Sequence, residues 1–544
     1  MKSFIFSLLA ISILGIATDQ AFAKQYIIGV KDPALFSSIA SKFQLSASKE
    51  AFLFENKSIK ITSAFSNLEM IIVDSNSLGA IGLISHDPRI DFIEEEKFIP
   101  APRPIEGFKL TPPWNVSWEY MGTNQSFAKV PQRPWGLDMV KAPQAWELGA
   151  RGQGVKVAVL DSGIDKNHPA LSSAIDDMKD FVGDDNSPYP AADKIGHGTH
   201  VAGTIAARIG ATGFAGVAPE ARLYIGRVCG TSSCSTIDVL AGMDWAASIR
   251  ARVLNMSLGS QFGSQAEAKA AARLAQAGVL VVAASGNSAE DNPGTVGFPA
   301  AYPTVMAVGA VNNLQKRANF SQYGPELDVV APGVQVMSSV PLGTGKISTV
   351  EVNSQNSRKD LESAAFSASK EADVPVSGTL AFCGLGRPSD PCPVSGKIAL
   401  IQRGEVTFGE KAKYALSKGA LAVVIYNNTD GLVSGTLSQD GTVIPIVAVG
   451  ISQADGLSLK SEIEAGSKIQ IGIKTEKTDY AALSGTSMAS PHVAGVAALV
   501  FSKKPSLRNS DAKRILESTA TSIGSKNEYA NGLVDAEQAV RSAK

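Results

Sequence analysis

The 544-residue sequence has almost no charge imbalance: 50 Lys and Arg stand against 51 Asp and Glu, a formal net charge of -1. With no basic excess and no long acidic run, nothing argues for a nucleic-acid partner or a solvating tail. Long hydrophobic runs are missing too. The most prominent, residues 4–17, covers 14 positions, short of the ~20 a membrane-spanning helix needs. Internal repeats and strong low-complexity segments are absent. Histidine is scarce at 5 and cysteine at 4, so any metal site or disulfide framework draws on few ligands.

What remains is a large globular composition. Apolar residues make up 44% and charged residues 19%, which excludes global disorder and supplies a sizeable core. At roughly 100–200 residues per domain, the length predicts three to four units, or fewer if one α/β unit is large. The N-terminus predicts export: Lys2 supplies a positive charge, residues 4–17 an apolar run, and Ala21-Phe22-Ala23 small residues at both cleavage-defining positions. Residues 1–23 therefore read as a signal peptide, giving a secreted protein, extracellular or periplasmic, with no membrane anchor. An exported chain with close pairs Cys229/Cys234 and Cys383/Cys392 invites two local disulfides. Four cysteines allow three pairings. Zinc is the rival reading, but neither tight Cys-x2-Cys pairs nor nearby His ligands are visible.

Texture divides the rest. Residues 24–100 read as a small α/β unit, with strands at 25–30 and 69–73, a helix at 33–42 and a last strand at 90–99 (IDFIEEEKFI). Prolines then crowd 101–134, including Pro112-Pro113, predicting an exposed linker open to proteolysis. From Trp135, near-continuous apolar strands at 155–160, 222–228, 252–256, 278–284 and 304–309 alternate with helical stretches at 200–208, 236–249 and 266–277. That alternation predicts an α/β fold: a doubly wound parallel sheet with helices on both faces. Its working residues should collect past the carboxyl ends of strands, where Asp161 and the Gly286-Asn287 turn lie. The pattern breaks after Pro332-Gly333 and resumes near Tyr480. Between, strands at 396–402, 421–426 and 444–449 and a helix at 409–418 predict a module inserted in a surface loop.

Three stretches carry chemistry together: Val159-Leu160-Asp161-Ser162-Gly163, Gly196-His197-Gly198-Thr199-His200-Val201-Ala202-Gly203, and Ser484-Gly485-Thr486-Ser487-Met488-Ala489-Ser490-Pro491-His492. Singly, each has a plain structural reading as a turn, a packed histidine or a helix cap. In the order Asp, His, Ser they resemble the subtilase family of serine proteases, from about Trp135 to the C-terminus apart from the insert. Val281-Val282-Ala283-Ala284-Ser285-Gly286-Asn287 is similar to that family's oxyanion-hole segment, and Asn255-Met256-Ser257-Leu258-Gly259 to its substrate-pairing strand.

The resemblance implies a serine endopeptidase with Ser487 as nucleophile, His197 as base, Asp161 as its orienting carboxylate and Asn287 as oxyanion donor. A serine hydroxyl needs such a base, and an imidazole of pKa about 6.5 can serve. The helix after Ser487 would aim its N-terminal N–H groups at developing negative charge. His200 and His492 are expected to be packing or hydrogen-bonding partners. Pro491 would by itself end that helix, whereas the resemblance expects it inside.

The resemblance also implies a primary pocket walled by Ser257, Leu258 and Gly259 and by Ala284, Ser285 and Gly286, with Gly297 at its base. A base with neither side chain nor charge predicts a roomy, apolar pocket for a large apolar or aromatic residue. No cofactor is required for such chemistry. Structural calcium is compatible with the sequence, but the family's tight calcium site is not supported, since its positions read Ala170 and Gly210, which offer no side-chain oxygen; Asp184-Asp185-Asn186 reads as an exposed acidic loop rather than as a site for a different ion. Residues 24–100 resemble an inhibitor-type propeptide, implying a partner in cis that guides folding and then blocks the site until maturation between residues 100 and 135. Residues 376–456, with Gly396-Lys397-Ile398-Ala399-Leu400-Ile401-Gln402-Arg403-Gly404, resemble a protease-associated domain. The catalytic domain is then 135–336 and 479–544, polypeptides are the substrates, and a monomer is expected. Two alternatives compete. A catalytically dead binding module would have lost Ser487 or Asn287, and an esterase would carry a Gly-x-Ser-x-Gly elbow in the order Ser, Asp, His. Neither pattern is present.

Overall fold

The computed structural model describes residues 23–45, 59–105, 118–123, 126–184, 189–354, 357–429, 432–438 and 441–544. The signal-peptide reading and the Asp185-Asn186 part of the acidic loop lie outside the described residues. Among them, no helix is long and apolar enough to cross a membrane. The chain forms two compact units.

The smaller unit is a four-stranded sheet in the order Ile59–Phe65, Met70–Ser75, Lys24–Val30, Ile90–Glu95. Lys24–Val30 pairs antiparallel with both neighbours, placing Ile28 opposite Ile71 and Ile93. Alternation along these strands sends Ile28, Val30, Ile71 and Val73 to one face, where they meet Phe36 and Ile39 of helix Pro33–Leu45 and Ile84 of helix Leu78–Ser85. Ser77 caps the second helix by accepting from the Ala80 N–H at 3.2 Å.

The strand expected over 90–99 is two strands. Ile90–Glu95 belongs to the smaller unit, whereas Phe98–Pro100 belongs to the larger, paired antiparallel with Ser233–Ser235. Part of the exposed linker expected over 101–134 is structured. Ala101 is buried, and Trp118–Thr123 pairs with Ser126–Pro131 as a hairpin. Backbone pairing supplies what the proline-rich composition concealed.

The larger unit is built on a seven-stranded parallel sheet, in the order Val329–Pro332, Val305–Val311, Leu280–Ala284, Val253–Met256, Lys156–Asp161, Arg222–Arg227, Ile175–Asp180. Both faces are buried. Val157, Val159 and Val282 pack against Met488 and Val493 of helix Thr486–Lys503 and Val201 of helix His197–Ala206. Leu160 points the other way, so close under Gly242 of helix Thr236–Ser248 that a Cβ there would sit 2.7 Å from it. Chain order reverses around Lys156–Asp161, whose neighbours come from opposite directions of winding. The crevice at such a switch point is where α/β sheets present their sites.

The insert departs and returns through a two-stranded stalk, Val336–Ser339 antiparallel with Tyr480–Leu483. Its own eight-stranded sheet has the parallel strands Ile398–Gln402, Ala422–Tyr426 and Val447–Ile451 in its second half, next to the edge strand Ser363–Ala365. It also recruits Gly345–Ser354 and Gln470–Thr478, which pair along their whole length. The sheet therefore runs well beyond residues 376–456. Both disulfides are local, Cys229–Cys234 and Cys383–Cys392.

Candidate active site

Asp161 ends its central strand and His197 opens the helix His197–Ala206; both are buried. His197 Nδ1–H donates to Asp161 Oδ1 at 2.8 Å, which fixes the proton on Nδ1 and leaves Nε2 as the basic nitrogen. Asp193 clamps this pair, although no motif in the sequence pointed to it. Its carboxylate accepts from Ser162 Oγ (2.9 Å), from the Gly196 N–H (2.7 Å) and from the Thr199 N–H and hydroxyl (2.9 and 2.6 Å). Ser162 Oγ in turn accepts the Gly198 N–H at 2.9 Å. The turn after Asp161 and the first turn of the His197 helix are thereby tied together. Gly198 is required for that approach, since a Cβ there would stand 2.2 Å from the Gly163 carbonyl oxygen.

Ser487 lies in the first turn of helix Thr486–Lys503, which packs against the His197 helix. Pro491 is inside this helix. Having no N–H, it leaves the Ser487 carbonyl without its i+4 donor. Ser257 supplies the replacement: its hydroxyl donates to the Ser487 carbonyl at 2.9 Å, while Asn255 Nδ2 donates to the same hydroxyl at 2.9 Å. The helix continues through Pro491 because a side chain from another strand fills the gap.

Ser487 Oγ donates to the Ser257 carbonyl at 3.0 Å, whereas His197 Nε2 is buried without a hydrogen-bond partner among the described residues. Base and nucleophile are thus not hydrogen-bonded to one another, although the helices that carry them pack together.

Asn287 lies just past strand Leu280–Ala284. Its Oδ1 accepts the Thr486 N–H and hydroxyl, each at 2.9 Å, so its Nδ2 end is turned outward. A Cβ on Gly485 would come 3.5 Å from that Nδ2, beside the first turn of the Ser487 helix. His200 and His492 hold backbone. His200 Nε2–H reaches the carbonyls of Val336 (2.8 Å) and Ala481 (3.2 Å), and His492 Nδ1–H that of Met488 (2.9 Å). Burial pushes their pKa values down to about 3 and about 4.

One cleft of about 180 Å³ gathers Ser257, Leu258, Gly259, Ala284, Gly286, Asn287, Gly297 and Ser487. Ser285 is fully buried behind them, with its carbonyl accepting the Gly297 N–H at 2.8 Å. Pro100, Ala101, Pro102 and Arg103 line the same cleft. A Cβ on Gly297 would stand 3.1 Å from the Ser260 carbonyl oxygen, 3.3 Å from that of Ser285 and 3.8 Å from Gln322 Oε1. Gln322 escapes a reading of the sequence because nothing local marks it.

The family's calcium positions do not fit the ion. The Ala170 carbonyl accepts the Arg208 N–H, the Gly210 N–H donates to Phe214, and neither residue brings a side-chain oxygen. Asp184, half of the acidic reading, pairs with the buried Arg227 at 2.7 Å.

Comparison with known proteins decides the family. Residues 152–368 match the model of the subtilase family, and residues 362–459 that of the PA domain. The chain is 32% identical over 516 residues to alkaline elastase YaB of Bacillus sp. (strain YaB), covering 93% of this chain and 95% of that one. The chain belongs to the subtilase family. Subtilisin E of Bacillus subtilis (strain 168) is 35% identical over 325 residues, 59% of this chain and 74% of that one. Among solved structures, the psychrophilic subtilisin-like protease Apa1 from the Antarctic psychrotroph Pseudoalteromonas sp. AS-11 superposes with a TM-score of 0.56 at 28% identity, over 76% of this chain and 99% of that one. This subtilase is a subtilisin-like serine endopeptidase acting on polypeptides.

Proposed function

We propose that this subtilase cleaves peptide bonds through an acyl-enzyme on Ser487, and that it is exported as a zymogen that matures itself. The observation that carries this reading is the meeting of Ser487 and Asn287 in one cleft, with Ser487 on a helix that packs against the helix opened by the Asp161-bonded His197. When a peptide enters, its backbone N–H takes the Ser257 carbonyl, and the Ser487 hydroxyl swings to His197 Nε2. His197 accepts the proton as the Oγ–C bond forms; Asp161 stabilises the imidazolium. The oxyanion receives Asn287 Nδ2–H and the Ser487 N–H. His197 then protonates the leaving nitrogen as the C–N bond breaks, and water, activated by the same imidazole, releases the acid and restores Ser487. All these groups come from the protein, so the chemistry calls on no cofactor.

The cleft also points to the maturation bond. Phe98–Pro100 pairs with Ser233–Ser235, and the Ala101 N–H donates to the Ser232 carbonyl at 3.0 Å. Beyond this paired strand, Pro102 and Arg103 line the cleft with Ser487. The Ala101–Pro102 and Arg103–Pro104 bonds would each expel a ring-substituted proline nitrogen. Pro100–Ala101 belongs to the paired stretch, its Ala101 N–H held on Ser232, so the reading favours Pro102–Arg103, with residues 24–102 as propeptide and Arg103 as the mature N-terminus. Tethering offsets the poor fit of such a site, since an intramolecular reaction has a high effective concentration. Export rests on the signal-like residues 1–23.

The test is intact mass and N-terminal sequencing of the secreted wild type beside Ser487→Ala, with casein hydrolysis in parallel. The wild type should begin at Arg103 and digest casein, while the variant keeps residues 24–102 and digests nothing. An identical, uncleaved N-terminus in both, with no hydrolysis, would replace the protease reading with that of a binding module. Processing in both, with activity in the wild type alone, would assign maturation to another protease.

A further inference from the structure

The disulfide Cys229–Cys234 lies between the catalytic aspartate and the strand now occupied by the chain's own Phe98–Pro100. On one side, the N–H groups of Val228 and Cys229 donate to the Asp161 carbonyl at 2.9 and 3.2 Å. On the other, Cys234 is the middle residue of Ser233–Ser235 and stands opposite Ile99. Both cysteines are buried, and Cys234 Sγ is 4.0 Å from the Pro100 carbonyl oxygen. A disulfide sulfur has no proton to donate, so this is packing against the bound strand and not a hydrogen bond.

Phe98–Pro100 shows how an extended substrate would lie. Counting back from the proposed Pro102–Arg103 bond, Ala101 is the second residue, with its N–H on the Ser232 carbonyl at 3.0 Å, and Ile99 is the fourth, facing Cys234. Among the described residues, Ser233–Ser235 pairs with no other strand. Once residues 24–102 are gone, these three residues must stay extended without a neighbour until a substrate arrives. Three ties remain. The Gly230 N–H donates to the Ser233 carbonyl at 2.9 Å, Ser235 caps helix Thr236–Ser248 by accepting the Ile237 N–H at 3.1 Å, and the disulfide crosses the turn. The first two are hydrogen bonds that water can replace. The third is covalent, and it fastens the middle of the strand to the residue that rests on Asp161.

We infer that Cys229 and Cys234 are positioning residues for the reaction: their disulfide keeps Ser233–Ser235 extended and in register with Asp161, ready for the substrate backbone two to four residues before the scissile bond. Without it, each substrate would have to order the turn 229–234 as it bound, and preorganisation of a binding strand removes that cost. Fixing the backbone of about one residue corresponds to about tenfold in affinity. The benefit therefore depends on substrate length. A substrate with a single residue before the scissile bond does not reach Ser232 or Cys234 and gains nothing from the brace. This inference rests on the Ser487 reading of the cleft.

The experiment measures kcat/KM on two p-nitrophenyl esters, one with a single residue before the scissile bond and one with four, the residue next to that bond being the same in both. Cys229→Ala and Cys234→Ala, made together, should lower the ratio of the long ester to the short one by about tenfold. Cys383→Ala with Cys392→Ala, which removes the insert's disulfide, should leave the ratio at the wild-type value. That second enzyme also keeps the test alive if the first fails to fold. It retains a single disulfide, so a phosphine reductant added after folding, with the freed thiols titrated, should produce the same fall. An equal loss on both esters in a folded enzyme, or a ratio unchanged once two thiols are counted, would overturn the inference and leave the disulfide a general brace. Ser487→Ala is the separate control: hydrolysis of both esters at the wild-type rate there would sink the catalytic reading, whatever the ratio does.

Discussion

The catalytic sheet and part of the inserted sheet are built alike. Both have parallel strands buried on both faces, with helices packed against them. They differ in the polar residues just past the strand ends. In the insert, Asn427 Oδ1 accepts from Arg403 at 3.1 Å, and Ser452 caps the next helix through the Asp455 N–H at 3.0 Å. Its polar groups close turns. In the catalytic sheet, buried Asp161 Oδ2, His197 Nε2, His200 Nδ1 and Asn255 Oδ1 have no hydrogen-bond partner, and among the described residues no such atom occurs in the insert. An unpaired buried polar atom costs about 1–3 kcal/mol. The catalytic unit carries that cost at these atoms, His197 Nε2 beside the nucleophile's helix among them, and at Arg227 and Arg252; the insert spends its polar groups on stability. Shared architecture therefore says little about function, which lies in the few residues past the strand ends.

The sharpest way to test this division is to remove a donor from the catalytic side. Asn287→Ala should lower kcat by about 10²–10³-fold with KM little changed, a loss of the size seen when subtilisin itself loses its oxyanion-hole donor. Steady-state kinetics on a p-nitroanilide checks it, and a change confined to KM would put Asn287 in binding instead.

Acid should separate the two regions next. His200 and His492 are buried with pKa values pushed down to about 3 and about 4, against about 6.5 when unfolded. The unfolded chain then binds more protons below pH 6.5, so stability is full above that pH and drains as pH falls toward 4. The loss is on the order of 3 kcal/mol per histidine by pH 4. Denaturant unfolding of Ser487→Ala at pH 7 and pH 4.5 should show the catalytic unit weakening; His492→Leu should flatten the slope, and an unchanged slope would remove that histidine from the account.

On the insert side, Lys411 is fully buried, its ammonium donating to the Leu385 and Gly404 carbonyls at 2.5 and 2.7 Å. Burial lowers its pKa to about 8. Lys411→Met would leave the Leu385 carbonyl without that donor and the Gly404 carbonyl with the Val406 N–H alone, and should cost the insert about 1–3 kcal/mol, while kcat/KM on a short p-nitroanilide stays at the wild-type value. A parallel fall in activity would break the comparison, showing that the insert's packing reaches the catalytic centre through its stalk. The smallest effect is expected at Ser257→Ala, which withdraws the hydroxyl covering for Pro491. It should cost about 1 kcal/mol of stability and leave the helix bent or frayed at Ser487, seen as a lower Tm with a modest fall in kcat.

The amino-acid sequence by itself determined the family, the order Asp161, His197, Ser487, the Asn287 segment and the alternation that makes a parallel sheet. These are local facts, carried by contiguous motifs and by the apolar periodicity of single elements. Tertiary structure alone decided the rest. Gln322 lies 61 residues from Gln261 in sequence and Ser257 lies 230 from Ser487. They meet because the sheet is wound out of sequence order, and no local pattern records which strand ends become neighbours. The prolines from Pro100 onward read as the start of a linker because the strand that anchors them, Phe98–Pro100, finds its partner far along the chain, with Ile99 opposite Cys234. The motifs name the chemistry. Which side chains brace it and occupy its cleft depends on contacts that exist only once the chain has closed on itself.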